Sequence, residues 1–180
     1  QIAAAIRDGG HEVKFIDLVR YPLVDKEVEE RVGDFGPDLI AYSGIITTYY
    51  QLETLSKQLK TAFPDVPQLV GGSLGSSGHK IIEKHTDVDL ICIGEGEETI
   101  LLLLEKLRTV KRWEEIPNIY YREGSELKTT RSSSTPPDGE DLDSLLFPAY
   151  DLADIEYYIE YASIAMDGTL RALPMVFSCS

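Results

Sequence analysis

DLIAYSGIITT, Asp38 to Thr48, is the stretch on which the fold turns. Pro37 introduces it, Gly44 closes its first half, and the run Leu39 to Tyr42 is continuously apolar, the pattern of a strand covered on both faces. Thr47 or Thr48 can then cap a helix that carries Tyr50, Leu52, Leu55, Leu59 and Phe63 and stops at Pro64. A buried strand followed at once by an amphipathic helix is the repeating unit of a parallel α/β sheet.

The same unit recurs on both sides. Upstream, Ile2, Ala3 and Ile6 mark one face of a helix from Gln1 to Asp8, and Gly9-Gly10 ends it. His11 to Leu18, HEVKFIDL, then alternates as a strand does, and a weak helix follows at Asp25 to Val32. Downstream, a strand Gln68 to Val70 ends at Gly71-Gly72. A loop SLGSSG from Ser73, a short helix near His79 to Lys84 and a strand Asp89 to Ile93 come next. GEGEET, Gly94 to Thr99, opens an apolar helix from Glu97 to Val110. The expected fold class is α/β: a doubly wound, flavodoxin-like or Rossmann-like parallel sheet over residues 1–110, with helices on both faces. Because the chain begins inside a helix, the first strand is expected to be missing.

Beyond Val110 the pattern changes. Residues 111–173 read as an irregular connector containing a small antiparallel pair, NIYYRE and ELKTTR, around Gly124-Ser125. Ser132 to Gly139 is a loop, and Pro136 to Glu160 holds eight acids and neither Lys nor Arg, which marks solvated chain rather than a second core. Ala172 to Ser178 is apolar enough for another strand, so 174–180 is expected to begin a truncated further domain.

Composition bounds the function. A chain of 180 residues with 43% hydrophobic and 27% charged residues can build one full core. Its 17 Lys and Arg against 31 Asp and Glu give a net charge of −14, which disfavours nucleic acid and anionic membranes. The longest uncharged run, Leu39 to Leu52, has 14 residues, short of the roughly 20 apolar residues of a membrane span. Two cysteines far apart, Cys92 and Cys179, make neither a disulfide framework nor a metal-ligand pattern, and a cytoplasmic location is expected.

Ligands of doubly wound sheets sit beyond the carboxyl ends of the strands, so the strand-end loops are the candidate site. They are Ser43-Gly44-Ile45-Ile46-Thr47-Thr48, then Gly71-Gly72-Ser73, then Gly94-Glu95-Gly96-Glu97-Glu98-Thr99. Glycines let a ligand approach backbone closely, and hydroxyls supply hydrogen bonds. Singly, each glycine is equally well explained by a tight turn. The acidic third loop is a poor phosphate cradle, so its GxG is no dinucleotide fingerprint.

Together the loops resemble the cobalamin-binding domain, whose Ser-x-Leu and Gly-Gly motifs match Ser43-Gly44-Ile45 and Gly71-Gly72. The GEGEET turn and the connector DLDSLLFPAYDL, Asp141 to Leu152, resemble the subgroup fused in front of radical S-adenosylmethionine (SAM) enzymes. The likeness covers nearly the whole chain and is strongest from Pro37 to Glu98. It implies that the cobalamin nucleotide tail enters a slot lined by Gly71 and Gly72 and that Ser43 bonds its benzimidazole. It implies too that Thr47, Thr48 and Ser73 reach the tail's phosphate, ribose or amides and that Tyr49 can touch the corrin.

The family's Asp-x-His-x-x-Gly motif would fall before Gln1; His11, His79 and His85 do not match it. Tyr49 stands where histidine-ligated relatives carry a hydroxyl, which favours cobalt without a histidine ligand. Cys179 is read as preceding the [4Fe-4S] cysteine motif of such enzymes, and Cys92 as a core residue. No catalytic constellation and no metal ligand set is assembled. The resemblance thus implies the cobalamin module of a radical SAM enzyme, of methyltransferase class, whose [4Fe-4S] cluster and SAM belong to a C-terminal domain of the same parent chain. A stand-alone corrinoid carrier or sensor and an FMN-binding flavodoxin-like domain are the alternatives.

Overall fold

A computed structural model describes residues 1–19, 25–109, 112–124, 126–130 and 146–161. In chain order its elements are α1 (Ile2–Asp8), α2 (Asp25–Phe35), β1 (Ile40–Ser43), α3 (Tyr49–Ala62), β2 (Gln68–Gly71), α4 (Gly72–His85) and β3 (Leu90–Cys92). There follow α5 (Glu97–Arg108), β4 (Ile119–Glu123), β5 (Glu126–Thr129) and α6 (Ile155–Tyr161). The chain forms two compact units. One comprises Ile2 and Leu23–Thr135; the other comprises Gln1, Ala3–Pro22 and Pro136–Ser180.

The larger unit carries a five-stranded sheet in the order β1-β2-β3-β4-β5. β1, β2 and β3 are parallel, with Ser43 opposite Gly71 and Val70 opposite Ile91. The fold is α/β as expected, but the sheet is mixed. The antiparallel pair expected within a connector instead bonds to β3, with Ile91 opposite Tyr120, so the sheet continues past Val110.

α3 and α4, which connect the parallel strands, lie on one face of them. There Tyr49, Leu52, Leu74 and Ile82 pack with Val70 and Ile91, and Tyr42 and Tyr120 border the cluster. Side chains alternate across a sheet, so Leu69, Leu90, Cys92 and Ile119 point to the other face. There Cys92 is buried, as are Thr99, Ile100 and Leu103 of α5. Glu97 and Glu98 in the first turn of α5 and Lys106 and Arg108 in its last complement the helix dipole.

Two expectations need correction. His11 to Leu18 forms no strand: its apolar alternation is real, but a strand needs a backbone partner, and Phe15 is left 50% exposed. The loop expected over Ser73 to Gly78 is helix, because α4 begins at Gly72. Tertiary contact overrides the poor helix propensity of this glycine- and serine-rich segment. A Cβ on Gly75 would lie 2.8 Å from the Cys92 carbonyl oxygen and 3.3 Å from that of Val70, so only glycine lets α4 lie this close to the strands.

Polar locks hold the layers in register. The Tyr42 hydroxyl donates to Gln68 Oε1 at 3.0 Å, and Gln68 Nε2 donates to the Ser56 carbonyl at 3.1 Å, which links β1, β2 and α3 through a buried amide. Asp89 Oδ2 accepts from the Gln68 amide at 2.7 Å and from Lys60 Nζ at 2.9 Å. Arg122 on β4 donates to the carbonyls of Val88, Glu83 and Thr86 at 2.8, 2.6 and 3.1 Å, satisfying backbone around the C-terminus of α4.

In the smaller unit, Arg7 Nη1 donates to both carboxylate oxygens of Asp151 at 2.9 and 2.7 Å, and the Tyr158 hydroxyl donates to Asp17 at 2.6 Å. The expected strand Ala172 to Ser178, Cys179 and the loop Ser132 to Gly139 lie outside the described residues.

Helix propensity alone makes Gly75→Ala stabilising; the carbonyl contact makes it cost about 1–3 kcal/mol in urea unfolding, while Gly78→Ala is tolerated better. Arg122→Ala should lower stability by about 1–3 kcal/mol in the same assay, because three backbone acceptors lose a charged donor. Burial raises the Cys92 thiol above its ordinary pKa. In a Cys179→Ser variant, iodoacetamide at pH 8 should therefore modify the native protein far more slowly than the urea-unfolded one.

Candidate cofactor site

Because β1, β2 and β3 are parallel neighbours, their carboxyl ends bring the three predicted loops to one edge. Ser43 lies beside Gly71, and the register that sets Val70 beside Ile91 sets Gly71 level with Cys92. The first turn of α4 ties the loops together. The Leu74 amide and the Ser73 hydroxyl both donate to the Gly44 carbonyl, each at 3.2 Å, and the Gly94 amide reaches Ser76 Oγ at 3.4 Å.

The first loop is rigid for a local reason. Thr48 donates to the Ile45 carbonyl through its amide at 2.9 Å and through its hydroxyl at 2.8 Å, closing a 3-10 turn over Ile46–Thr48. The turn brings Thr48 Oγ1 within 2.5 Å of where a Gly44 Cβ would sit, so position 44 has no room for a side chain. Thr48 and Ser73 thus hold backbone, whereas Ser43 and Thr47 are exposed at the rim.

Between Ser43 and Cys92 the glycines leave space. A Cβ on Gly71 would meet only the Cys92 Cβ, at 4.0 Å, and one on Gly72 would meet only Ser43 Oγ, at 3.1 Å. Gly72 also has φ +67°, a conformation that side chains resist. The open Cβ position of Gly71 thus faces the Cys92 Cβ, and that of Gly72 faces the Ser43 hydroxyl. Burial pushes the Cys92 thiol pKa up, offset in part by Thr99, and the nearby Glu97 and Glu95 carboxylates push it further up. Gly94 has φ +80°, and the Gly96 amide donates to Glu97 Oε2 at 3.0 Å, so the third loop is a helix entry that brings Glu95 to the rim.

Tyr49 departs from this group. Its ring is buried in the core beneath the rim, and burial and the neighbouring Glu53 carboxylate push its hydroxyl pKa up. Two further residues are exposed here: Ile46, part of the same strand-end loop, at 57%, and Tyr50, counted on the apolar face of its helix, at 79%, beside Ile45 at 57%. For Ile46 the signal was an Ile-Ile pair in a turn, where polar residues are the norm. His79 stacks on Tyr120 with ring centroids 4.8 Å apart, well along α4 from this edge. Among the described residues, no three His, Cys, Asp or Glu side chains are grouped to hold a metal ion, and no helix is long and apolar enough to cross a membrane.

A narrow small-residue gap beside an apolar, hydroxyl-bearing rim suits a ligand with a slender arm and a broad body, which is the shape of cobalamin. Residues 1–104 match the B12 binding domain family. The chain is 28% identical to the anaerobic magnesium-protoporphyrin IX monomethyl ester cyclase of Synechocystis over 89% of its length and 32% of that protein's. It is 27% identical to the cytidylyl-2-hydroxyethylphosphonate methyltransferase of Streptomyces wedmorensis over 88% of its length and 36% of that protein's. It therefore spans about a third of these relatives. Its fold is similar to that of the radical S-adenosylmethionine methyltransferase TsrM from Kitasatospora setae, solved with cobalamin and a [4Fe-4S] cluster bound. The TM-score is 0.65 at 15% identity, over 76% of this chain and 26% of TsrM. The cobalamin-dependent S-adenosylmethionine radical enzyme OxsB gives 0.62 at 20% identity, over 74% of this chain and 19% of OxsB. With more than half of its residues under the family match, the chain belongs to the B12-binding domain family.

Proposed function

We propose that this chain is the cobalamin-holding part of a radical SAM enzyme of the methyltransferase class. In this reading residues 1–110 bind the cofactor, 111–173 connect, and 174–180 begin the domain that carries the [4Fe-4S] cluster and SAM. The family match favours a corrinoid over a flavin, and the relatives, about three times as long, include enzymes whose names couple cobalamin to SAM chemistry. A reducing, cytoplasmic setting suits such a cluster.

The observation that carries the reading is the empty Cβ position of Gly71 at the end of a central strand, between Ser43 and Cys92. The nucleotide tail enters there. Ser43 accepts or donates a hydrogen bond at its benzimidazole end, Gly72 keeps the entrance clear, and Thr47 stands at the rim for the phosphate, ribose or amides. Thr48 and Ser73 act one step back, holding the Ile45 and Gly44 carbonyls so that the entrance keeps its shape. Bound cobalamin supplies a cobalt centre able to carry a methyl group. This chain's own contribution is to bind and orient it, since the described residues assemble no acid, base or nucleophile pair at the rim.

Gly71→Leu tests this. Position 71 has extended backbone, φ −132°, and an open Cβ direction, so the variant should fold, unlike Gly72→Leu at positive φ. Equilibrium dialysis with hydroxocobalamin should show affinity reduced about ten- to hundredfold, with an unchanged far-ultraviolet circular dichroism spectrum. Wild-type affinity in the folded variant would place the tail elsewhere.

A further inference from the structure

We infer that the first half of α4 is an opening unit of its own: residues 72–78 come away from the strand ends and close again while residues 79–85 stay folded, and this local opening gives a ligand access to the space at Gly71. The two halves of the helix are built differently. GSLGSSG, residues 72–78, contains three glycines and three serines, among the weaker helix formers. Its one large side chain is Leu74, buried at 2%, whereas Gly72, Ser73, Ser76 and Ser77 are exposed. HKIIEKH, residues 79–85, is fastened at several points. Ile82 is fully buried, the His79 ring stacks on Tyr120, and the Thr86 hydroxyl donates to the Ile82 carbonyl at 2.7 Å. Arg122 donates to the carbonyls of Glu83 and Thr86 at 2.6 and 3.1 Å.

The ties of the first half are fewer and longer. The Leu74 amide and the Ser73 hydroxyl reach the Gly44 carbonyl at 3.2 Å each, and the Gly94 amide reaches Ser76 Oγ at 3.4 Å. These lie beyond the common N–H···O length of about 2.9 Å, where hydrogen bonds weaken. One motion of residues 72–78 releases all three and lifts Leu74 from the core, and the strands keep their own ladder. Segments with few buried side chains and weak ties are the ones that open below the global unfolding free energy.

The opening has a consequence at the site. Gly72 begins this half of the helix, and its Cβ position lies 3.1 Å from Ser43 Oγ, so the backbone that moves is the backbone bordering the space at Gly71. A ligand that enters and contacts the closed segment binds only the closed form and holds it shut, which couples binding to helix closure. This last step rests on the proposed function; the opening itself rests on the helix alone.

Amide hydrogen exchange of the chain, followed residue by residue by NMR, is the test. The amides of Ser77, Gly78 and His79, whose helical acceptors are the carbonyls of Ser73, Leu74 and Gly75, should exchange at least about tenfold faster than those of Glu83, Lys84 and His85. Their exchange should also depend less steeply on urea, because local opening exposes little surface. Saturating hydroxocobalamin should slow the first set by about tenfold or more. The opening unit is overturned if both sets share one rate and one urea slope in the free chain. Its coupling to the site is overturned if bound hydroxocobalamin leaves the first set unchanged. A chain that fails to bind hydroxocobalamin overturns the proposed function instead, and the free-chain rates then still decide the opening unit.

Discussion

The missing side chain at Gly75 is the constraint on which the rest depends. With the carbonyl oxygens of Cys92 and Val70 occupying the place of a Cβ, α4 lies directly against β2 and β3. That closeness puts Leu74 and Ser73 within reach of Gly44 and Ser76 within reach of Gly94, so one helix turn holds the loops of two other strands. A larger residue would lift the helix and loosen those ties together. The glycines of this segment therefore build the rim as well as lining it.

The rim separates tasks by residue size and polarity. Glycines at 71 and 72 leave a gap, hydroxyls at 48 and 73 hold backbone, and apolar side chains at 45, 46 and 50 face outward. Cys92 stands opposite Gly71 through its Cβ, and burial raises its thiol pKa, which disfavours the reactive thiolate. Beneath, the chain from Tyr42 through Gln68 to Ser56 fixes β1 against β2 and α3, and with them the alignment of Ser43 to Gly71. Burial, together with the Asp89 charge, raises the Tyr42 phenol far above its ordinary range, so this link stays a neutral hydrogen bond.

Much of this was legible in the residues. Leu39 to Tyr42, Gln68 to Val70 and Leu90 to Cys92 are short apolar runs, and such runs become central parallel strands because only cover on both faces removes them from water. The helix between the first two shows apolar spacing with a clear stop at Pro64, and the order of strand-end motifs pointed to the family that the match confirms. Where local propensity competed with long-range contact, the reading broke down. The glycine-rich first half of α4 looked like a loop, HEVKFIDL looked like a strand, and Tyr50, counted on the apolar face of its helix, is exposed.

The sequence by itself determined the layer type, the parallel units and the family, because periodicity and motif order are local properties of the chain. Only the tertiary structure decided that the hairpin extends the main sheet, that Gly75 is a contact and not a break, and that Ile46 and Tyr50 face water while Tyr49 does not. Those outcomes depend on which backbone atoms from distant segments meet, and no pattern within one segment encodes its neighbour.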